Sequence, residues 1–160
     1  MLLLLAACVA GPTRAAATPP IPPPIAWPPD AVTIADRGSG FQIPSDVTPD
    51  GEGGAFVAWS DQQGSDENID VFLQHVTYRG RIAWIQYPYG FPLSTAPGRQ
   101  FEVHLVSDGA GGVIAAWYDE RGPSPDIYAL RVRYDGTVEP SWPLTGLAVC
   151  EVAGAEMSPV

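Results

Sequence analysis

Four acidic side chains between positions 61 and 70 offer the type of oxygen ligand that calcium binds in proteins. They are Asp61, Asp66, Glu67 and Asp70. Carboxylate and carbonyl oxygens are the preferred calcium ligands, and extracellular modules bind the ion weakly. The Asp-x-Asp-x-Asp-Gly order of an EF-hand loop is absent from this stretch. The spacing therefore favours a solvated acidic loop, with a weak calcium site as the alternative, and no other cofactor is expected.

Two aspartates follow tryptophans at the same distance. Asp61 comes two residues after Trp59, and Asp119 comes two residues after Trp117. A ring of such carboxylates at one mouth of a closed structure could act in acid–base catalysis or hold a metal. A catalytic group is needed once, whereas this aspartate occurs twice. We therefore expect a turn residue that accepts hydrogen bonds from backbone amides.

The remaining polar and aromatic candidates have structural explanations. Glu120 and Arg121 are expected to form a local charge pair, or the guanidinium stacks on an aromatic ring. His75 and His104 lack metal-ligand spacing and are expected at exposed strand positions. The aromatic loop 87–91 could stack on sugar rings, but packing over a sheet edge is favoured. Nucleophile elbows, phosphate loops and clustered Cys and His residues are absent, so no catalytic residue is predicted.

A sequence motif occurs twice in the chain, and the structural elements that it predicts must position these residues. Residues 50–61 read DGEGGAFVAWSD, and residues 108–119 read DGAGGVIAAWYD. The match continues downstream at three pairs of positions: Asp70 and Asp126, Trp84 and Trp142, and Gly90 and Gly146. The period of 56 to 58 residues divides the chain into a first repeat, 42–99, a second repeat, 100–155, and a third that begins at residue 156.

Each repeat is predicted to form four short strands. In the second repeat, apolar runs between Asp, Gly and Pro turns predict strands at 101–106, 113–118, 126–134 and 147–150. Four short antiparallel strands are the unit of a β-propeller blade. The predicted fold class is therefore all-β, with β-propeller-like four-stranded antiparallel blades, about two of them plus partial ends.

The two predicted blades are expected to be a fragment of a larger ring, because propellers have about four or more blades. A two-repeat chain that assembles into a ring is the alternative. Residues 31–35 read AVTIA and are predicted as a fourth strand that precedes the first repeat. In closed propellers such a strand hides the open edges of the ring.

The second repeat also resembles a known family. Residues 107–121, SDGAGGVIAAWYDER, followed by DIYALRV at 126–132, are similar to tandem repeats of large secreted or surface proteins of environmental bacteria. These proteins are generally predicted as β-propellers, mostly without assigned activity. The resemblance covers residues 41–160 and implies the blade fold. The first repeat departs from the pattern, because Asp61-Gln62-Gln63 replaces Asp119-Glu120-Arg121.

The N-terminal residues predict export. Residues 1–17 contain a short apolar run followed by small residues, which is typical of a secretion signal but has no basic start. Leu5-Ala6-Ala7-Cys8 resembles the lipobox of bacterial lipoproteins, which implies lipidation of Cys8. Cleavage near residues 15–17 and a buried N-terminal strand are the alternatives. Residues 18–30 form a proline-rich linker that favours an extended polyproline II conformation. A Cys8–Cys150 disulfide is disfavoured.

The net charge of the chain indicates which classes of binding partner are disfavoured. Eighteen acidic residues against eight arginines give a net charge of −10. Such a chain does not neutralise phosphates, so nucleic acid is excluded, and a membrane is expected only through a lipid anchor. The expected location is extracellular or the cell-envelope surface, with an extracellular protein or a glycan as partner. The expected function is a non-catalytic binding or display scaffold. The alternative is the N-terminal part of a propeller enzyme, a glycoside hydrolase or lyase, that acts on polysaccharide.

Overall fold

Eight β-strands form two antiparallel sheets in the computed structural model, which describes residues 27–28, 31–35, 40–62 and 68–150. These residues contain no helix. The first sheet has the order β1-β2-β3-β4, and the second has the order β5-β6-β7-β8. The strands are β1 Phe41–Pro49, β2 Ala55–Gln62, β3 Ile69–Val76, β4 Phe91–Ser94, β5 Gln100–Ser107, β6 Val113–Asp119, β7 Asp126–Val132 and β8 Leu147–Cys150.

The strands of the second sheet confirm the predicted ones to within one residue at every boundary except one. The third strand was expected to reach residue 134 but ends at Val132. A hydrogen-bonded turn begins at the next residue, where the Arg133 amide donates to Thr137 O at 2.8 Å. Gly136 supplies the left-handed backbone of that turn, with φ +83°. The Asp-Gly turn signal thus ends the strand two residues early.

The prediction of a strand at 31–35 is wrong. These residues pair with no strand in the described part of the chain, and Ala31 has a left-handed backbone, with φ +42°. A strand needs the hydrogen-bonding edge of a neighbour. This segment instead lies against the turn at Gly80, where a Cβ placed on the glycine would be 3.3 Å from Cγ2 of Val32. Residues 31–35 therefore pack on a turn of the first sheet and do not extend that sheet as a further strand.

The aspartates that open the repeated motif organise the first turn of each sheet. Asp50 Oδ1 accepts the amides of Glu52 at 2.7 Å and Gly54 at 2.8 Å. Asp108 Oδ1 accepts the amides of Ala110 and Gly112, both at 2.8 Å. A carboxylate that accepts two nearby amides replaces the backbone hydrogen bonds a tight turn leaves unmade. The same side chain therefore produces the same hairpin in both sheets.

The two sheets pack through opposite faces of the repeat. In β2 the face that carries Phe56 and Ala58 is 0% exposed and belongs to the core shared with the second sheet. In β6 the alternate face meets the same core, through Ala115 and Trp117, both also 0% exposed. Phe56 of the first repeat corresponds to Ile114 of the second repeat. Ile114 lies on the face of β6 that points away from the first sheet, and it is half-buried. The packing is therefore head to tail, with one face of each sheet used.

A tryptophan and a glycine pack together in each sheet. A Cβ on Gly146 would lie 2.8 Å from Cη2 of Trp117, and one on Gly90 would overlap the ring of Trp59. Both glycines have positive φ, +94° for Gly90 and +84° for Gly146. The indole covers the space of the missing side chain, which explains why Trp and Gly recur together. The contact with Gly90 also helps to bury Trp59, which is 3% exposed although it lies on the face away from the second sheet.

Candidate functional site

A groove of about 400 Å³ separates the first strands of the two sheets. Its apolar lining comes from Ile43 of β1, Ile69 of β3, and Phe101 and Val103 of β5. β5 contacts three strands of the first sheet, so both walls are supported by packed structure. An apolar concave surface of this size with a few polar groups is typical of a ligand-binding site.

Two irregular strand segments open the groove. The register of β1 shifts between Pro44 and Asp46, and that of β5 shifts between Phe101 and His104. Within the second shift, Glu102 has φ +55°, which is strained for a residue with a Cβ. Bulges bend a strand and redirect its side chains, and strain of about 1–3 kcal/mol is concentrated at functional positions. The two bulges lie at the same point of the two repeats.

Polar groups line the rim of the groove. Arg99 stacks over the ring of Phe101, with its guanidinium carbon 5.1 Å from the ring centre. Ser45 Oγ and Ser60 Oγ are 3.4 Å apart on the first sheet. Glu102 and His104 are exposed on the second. The rim therefore presents a cation, a carboxylate, an imidazole and hydroxyl groups beside an aromatic ring, and it can donate and accept hydrogen bonds.

The groove is fixed to the first sheet by a carboxylate contact. The Leu105 amide of β5 donates to Asp46 Oδ2 of β1 at 2.8 Å. Since β5 is an edge strand of the second sheet, its outward amides lack a ladder partner within that sheet, and this one takes a side-chain acceptor from the first sheet. The distance between the two first strands is thereby held without a backbone ladder between them.

The calcium candidates are only partly within the described residues. Asp61 and Asp70 are directly opposite in the β2–β3 ladder, and Asp61 is 1% exposed. Gln42 Nε2 donates to Asp61 Oδ1 at 3.3 Å. Asp66 and Glu67 lie outside the described residues. Among the residues that the structure describes, no group of three or more His, Cys, Asp or Glu side chains is arranged to hold a metal ion. The calcium hypothesis stays a prediction.

Asp119 has the structural role that its repetition predicted. It is 0% exposed and accepts hydrogen bonds from Trp117 Nε1 at 2.8 Å, from the Arg121 amide at 3.0 Å and from Arg121 Nε at 2.9 Å. Arg121 also lies over the ring of Tyr128 at 3.9 Å. Burial would lower the pKa of the guanidinium, but the hydrogen bond and charge of Asp119 raise it. The stacked arrangement predicted for Arg121 is confirmed, with Asp119 as its ion-pair partner.

The prediction for one histidine is correct and for the other is wrong. His104 is exposed, but His75 is 0% exposed. The second sheet covers one face of β3, and the loop after β3 covers the other, where Gln74 Nε2 donates to Tyr87 O at 2.8 Å. The polar neighbours of His75 therefore do not indicate an exposed strand. His75 stacks on Phe56, with ring centres 4.6 Å apart, and has Tyr134 of the second sheet at its edge.

Sequence reasoning missed two contacts between a basic side chain and a turn aspartate, of which the first is buried and the second is partly exposed, with the Arg131 side chain 30% exposed. His75 Nε2 lies 2.9 Å from Asp50 Oδ2, and Arg131 Nη2 lies 2.9 Å from Asp108 Oδ2. Burial raises the pKa of Asp50, but hydrogen bonds from His75 and two backbone amides outweigh it and hold the pKa below its usual value. The signal was present, because His75 and Arg131 are basic residues at the same repeat position.

The aromatic loop packs as predicted. The rings of Tyr87 and Phe91 meet edge to face, with centres 5.1 Å apart, and Phe91 is 7% exposed. Tyr89 is 52% exposed and is the ring of this loop that faces solvent. Most of the aromatic surface therefore stabilises the sheet and is withdrawn from ligands.

Comparison with known proteins gives no assignment. No family model matches the chain, and neither the curated proteins nor the solved structures contain a significant match. Within the described residues, no helix is long and apolar enough to cross a membrane. Cys8 and the predicted leader lie outside the described residues, and Cys150 is half-buried at the end of β8.

Proposed function

We propose that the two sheets are successive blades of a β-propeller, and that the protein is an exported, non-catalytic scaffold that binds a ligand in the groove between β1 and β5. The blade interpretation is supported by the head-to-tail packing of the sheets. A four-stranded sheet can pack one face on the preceding sheet and the opposite face on the following sheet. Such packing can be continued by further copies, as it is in the blades of a propeller. The half-buried face of β6 at Ile114 is the side on which the next blade would pack.

The observation that carries the binding function is the matched pair of bulges that opens the groove. The two irregular segments interrupt otherwise regular strands at the same repeat position, and one of them contains the strained Glu102. A glycine would adopt this backbone without strain, and strained residues on exposed rims are concentrated at ligand-binding positions. The exposed Glu102 is therefore assigned to ligand contact. A glycan or an extended polar segment of an extracellular protein has the hydroxyl and amide groups that this rim would bind.

Export is supported by the leader sequence and the acidic charge. The apolar run before Cys8 is followed by a proline-rich spacer, the order expected when a folded body is held away from a membrane anchor. Under this proposal Cys8→Ser moves the protein from the membrane fraction to the soluble extracellular fraction of the host. Retention in the membrane fraction would contradict lipid anchoring at Cys8.

The binding function is tested with an array of immobilised polysaccharides. The purified chain is compared with Arg99→Ala, which removes the rim guanidinium, and with Arg79→Ala as a matched control. Arg79 is also exposed and also stacks on a ring, Tyr78 at 5.2 Å, but does not line the groove. We expect binding to be lost by about tenfold or more in the first variant, as a charged hydrogen bond is worth about 1.5–3 kcal/mol. Equal binding by both variants would contradict the proposal.

A further inference from the structure

We infer that Trp27, Pro28 and residues 31–35 belong to the tail of a repeat, the segment that follows its third strand. This tail binds the hairpin turn of the first sheet, in the way that the tail of the first repeat binds the hairpin turn of the second sheet. The inference concerns the interaction between neighbouring copies and does not depend on what the groove binds. It rests on a pair of equivalent turn contacts, on sequence spacing and on backbone conformation.

The contact in the second sheet defines the interaction. Trp84 follows the third strand of the first sheet and crosses to the turn Arg133–Thr137. Its Nε1 donates to Tyr134 O at 2.8 Å, and Gln86 Nε2 donates to Asp135 O at 3.2 Å. A Cβ placed on Gly136 would lie 3.0 Å from the Trp84 ring. The glycine therefore leaves room for an indole that comes from the preceding repeat.

The first sheet has an equivalent turn and an equivalent indole. Residues 77–81 form the same hydrogen-bonded turn, in which the Gly80 amide donates to Thr77 O at 2.8 Å. A Cβ on Gly80 would lie 2.7 Å from Cδ of Pro28 and 3.3 Å from the Trp27 ring. Pro28 and Trp27 thus lie over Gly80 on the side where Trp84 lies over Gly136, although Trp27 is 45% exposed and Trp84 is 2% exposed.

Sequence spacing identifies the segment independently. Ile25-Ala26-Trp27 repeats Ile82-Ala83-Trp84, and the three tryptophans at 27, 84 and 142 are 57 and 58 residues apart. Ala31 comes four residues after Trp27, the spacing of Gly146 from Trp142 in the second repeat; in the first repeat Gly90 comes six residues after Trp84. Ala31 and Gly146 both have positive φ, +42° and +84°. A non-glycine residue rarely adopts this backbone, so its occurrence at the repeat position of a glycine points to a shared origin.

The last tryptophan of the series, Trp142, has a surface that would accept the same kind of turn. Trp142 stands at the same repeat position as Trp27 and Trp84, and it is half-buried against the core of the second sheet. Trp84, which has a following hairpin above it, is 2% exposed. The surface around Trp142 therefore fits a hairpin turn from a further copy of the repeat. That turn would have the form of residues 77–81, with a glycine at its fourth position.

The test is a thermal-unfolding cycle in the full chain. Gly80→Ala is measured in the natural sequence and in a tail variant that carries Trp27→Ala and Pro28→Ala. In the natural sequence, the added methyl group costs stability through backbone strain and through overlap with Pro28 and Trp27. In the tail variant, only the backbone strain remains. We expect a loss in Tm of about 4–8 °C in the natural sequence and about half of that in the tail variant. Gly136→Ala is the control and should lose the same amount in both backgrounds.

Equal losses for Gly80→Ala in the two backgrounds would overturn the inference. Should Gly80→Ala fail to fold, amide hydrogen exchange of the natural chain and the tail variant decides it instead. Exchange at residues 77–81 is expected to be several-fold faster in the tail variant, while exchange at residues 133–137 is unchanged. Unchanged exchange in the first turn would overturn the inference.

Discussion

At the scale of single residues, the glycines under the tryptophans carry the strongest sequence constraint. Gly146 has positive φ and has no room for a Cβ beside Trp117, whereas Gly109 has φ +72° and no atom within 4 Å of the Cβ position. The two positions therefore separate backbone strain from steric overlap. Strain costs about 1–2 kcal/mol for a residue with a Cβ, and overpacking adds about 1–3 kcal/mol.

We predict that Gly146→Ala lowers the free energy of unfolding by about 3 kcal/mol and Gly109→Ala by about 1 kcal/mol. Urea unfolding of the two variants measures the difference. A Gly146→Ala chain no less stable than the Gly109→Ala chain would show that the Trp117 contact does not constrain this glycine.

The buried aspartates make stability depend on pH. Burial raises the pKa of Asp108, but hydrogen bonds from two amides and Arg131 outweigh it and lower the pKa below its usual value of 3.8. A carboxyl whose pKa is lower in the folded state stabilises the fold above its unfolded-state pKa, and this stabilisation is lost as the pH falls through the folded-state pKa.

Asp108→Asn tests this contribution, because asparagine keeps an oxygen for the turn but removes the charge that pairs with Arg131. At pH 7 the variant should be about 1–2 kcal/mol less stable than the natural chain. The difference should shrink as the pH falls from the usual carboxyl pKa of 3.8 through the lower folded-state pKa, below which the natural carboxyl is protonated in both states. Urea unfolding from pH 7 to pH 2.5 measures both curves, and a gap that stays constant over this range would contradict the assignment.

At the scale of strands and loops, Arg121 joins three elements of the two sheets. Its side chain pairs with Asp119 of β6, stacks on Tyr128 of β7, and donates to Ser94 Oγ of β4 at 3.1 Å. The first repeat has Gln63 at this position. Because Asp119 is 0% exposed, removing the guanidinium leaves a buried carboxylate without its cation.

We predict that Arg121→Gln lowers the free energy of unfolding by about 3 kcal/mol, the usual cost of breaking a buried ion pair. Arg121→Lys restores the charge but not the planar stacking on Tyr128, so it should recover only part of the loss. Thermal and urea unfolding rank the three chains. Full recovery by lysine would show that charge alone accounts for the role of Arg121.

The strands could be predicted from the sequence because their signals are local. Asp-Gly turns and apolar runs define β5 to β8 to within two residues of the observed bounds. The contacts between sheets could not be predicted in this way. The burial of His75 depends on Tyr134, which is 59 residues away in sequence, and the groove depends on bulges that leave no clear local signal. The strand expected at 31–35 failed for the same reason, since a turn of the first sheet determines where it packs.

At the scale of the whole molecule, the second sheet has one covered and one half-covered face. In β6 the buried residues Val113, Ala115 and Trp117 alternate with the half-buried Ile114, Ala116 and Tyr118. The positions of Ile114 and Ala116 correspond to Phe56 and Ala58 in the first sheet, which the second sheet buries to 0% exposure. Under the proposed function, the half-covered face is therefore expected to be a packing surface for another copy of the repeat.

The most direct test is the structure of a longer chain in which a copy of residues 100–155 is appended after residue 155. The account predicts that the added sheet packs on the Ile114 face of β6 with the rotation that relates the first two sheets. Ile114 and Ala116 should then become buried as Phe56 and Ala58 are, and Trp142 should contact the added hairpin turn. An added sheet that folds apart from the second sheet, or packs elsewhere and leaves Ile114 half-exposed, would contradict the head-to-tail account.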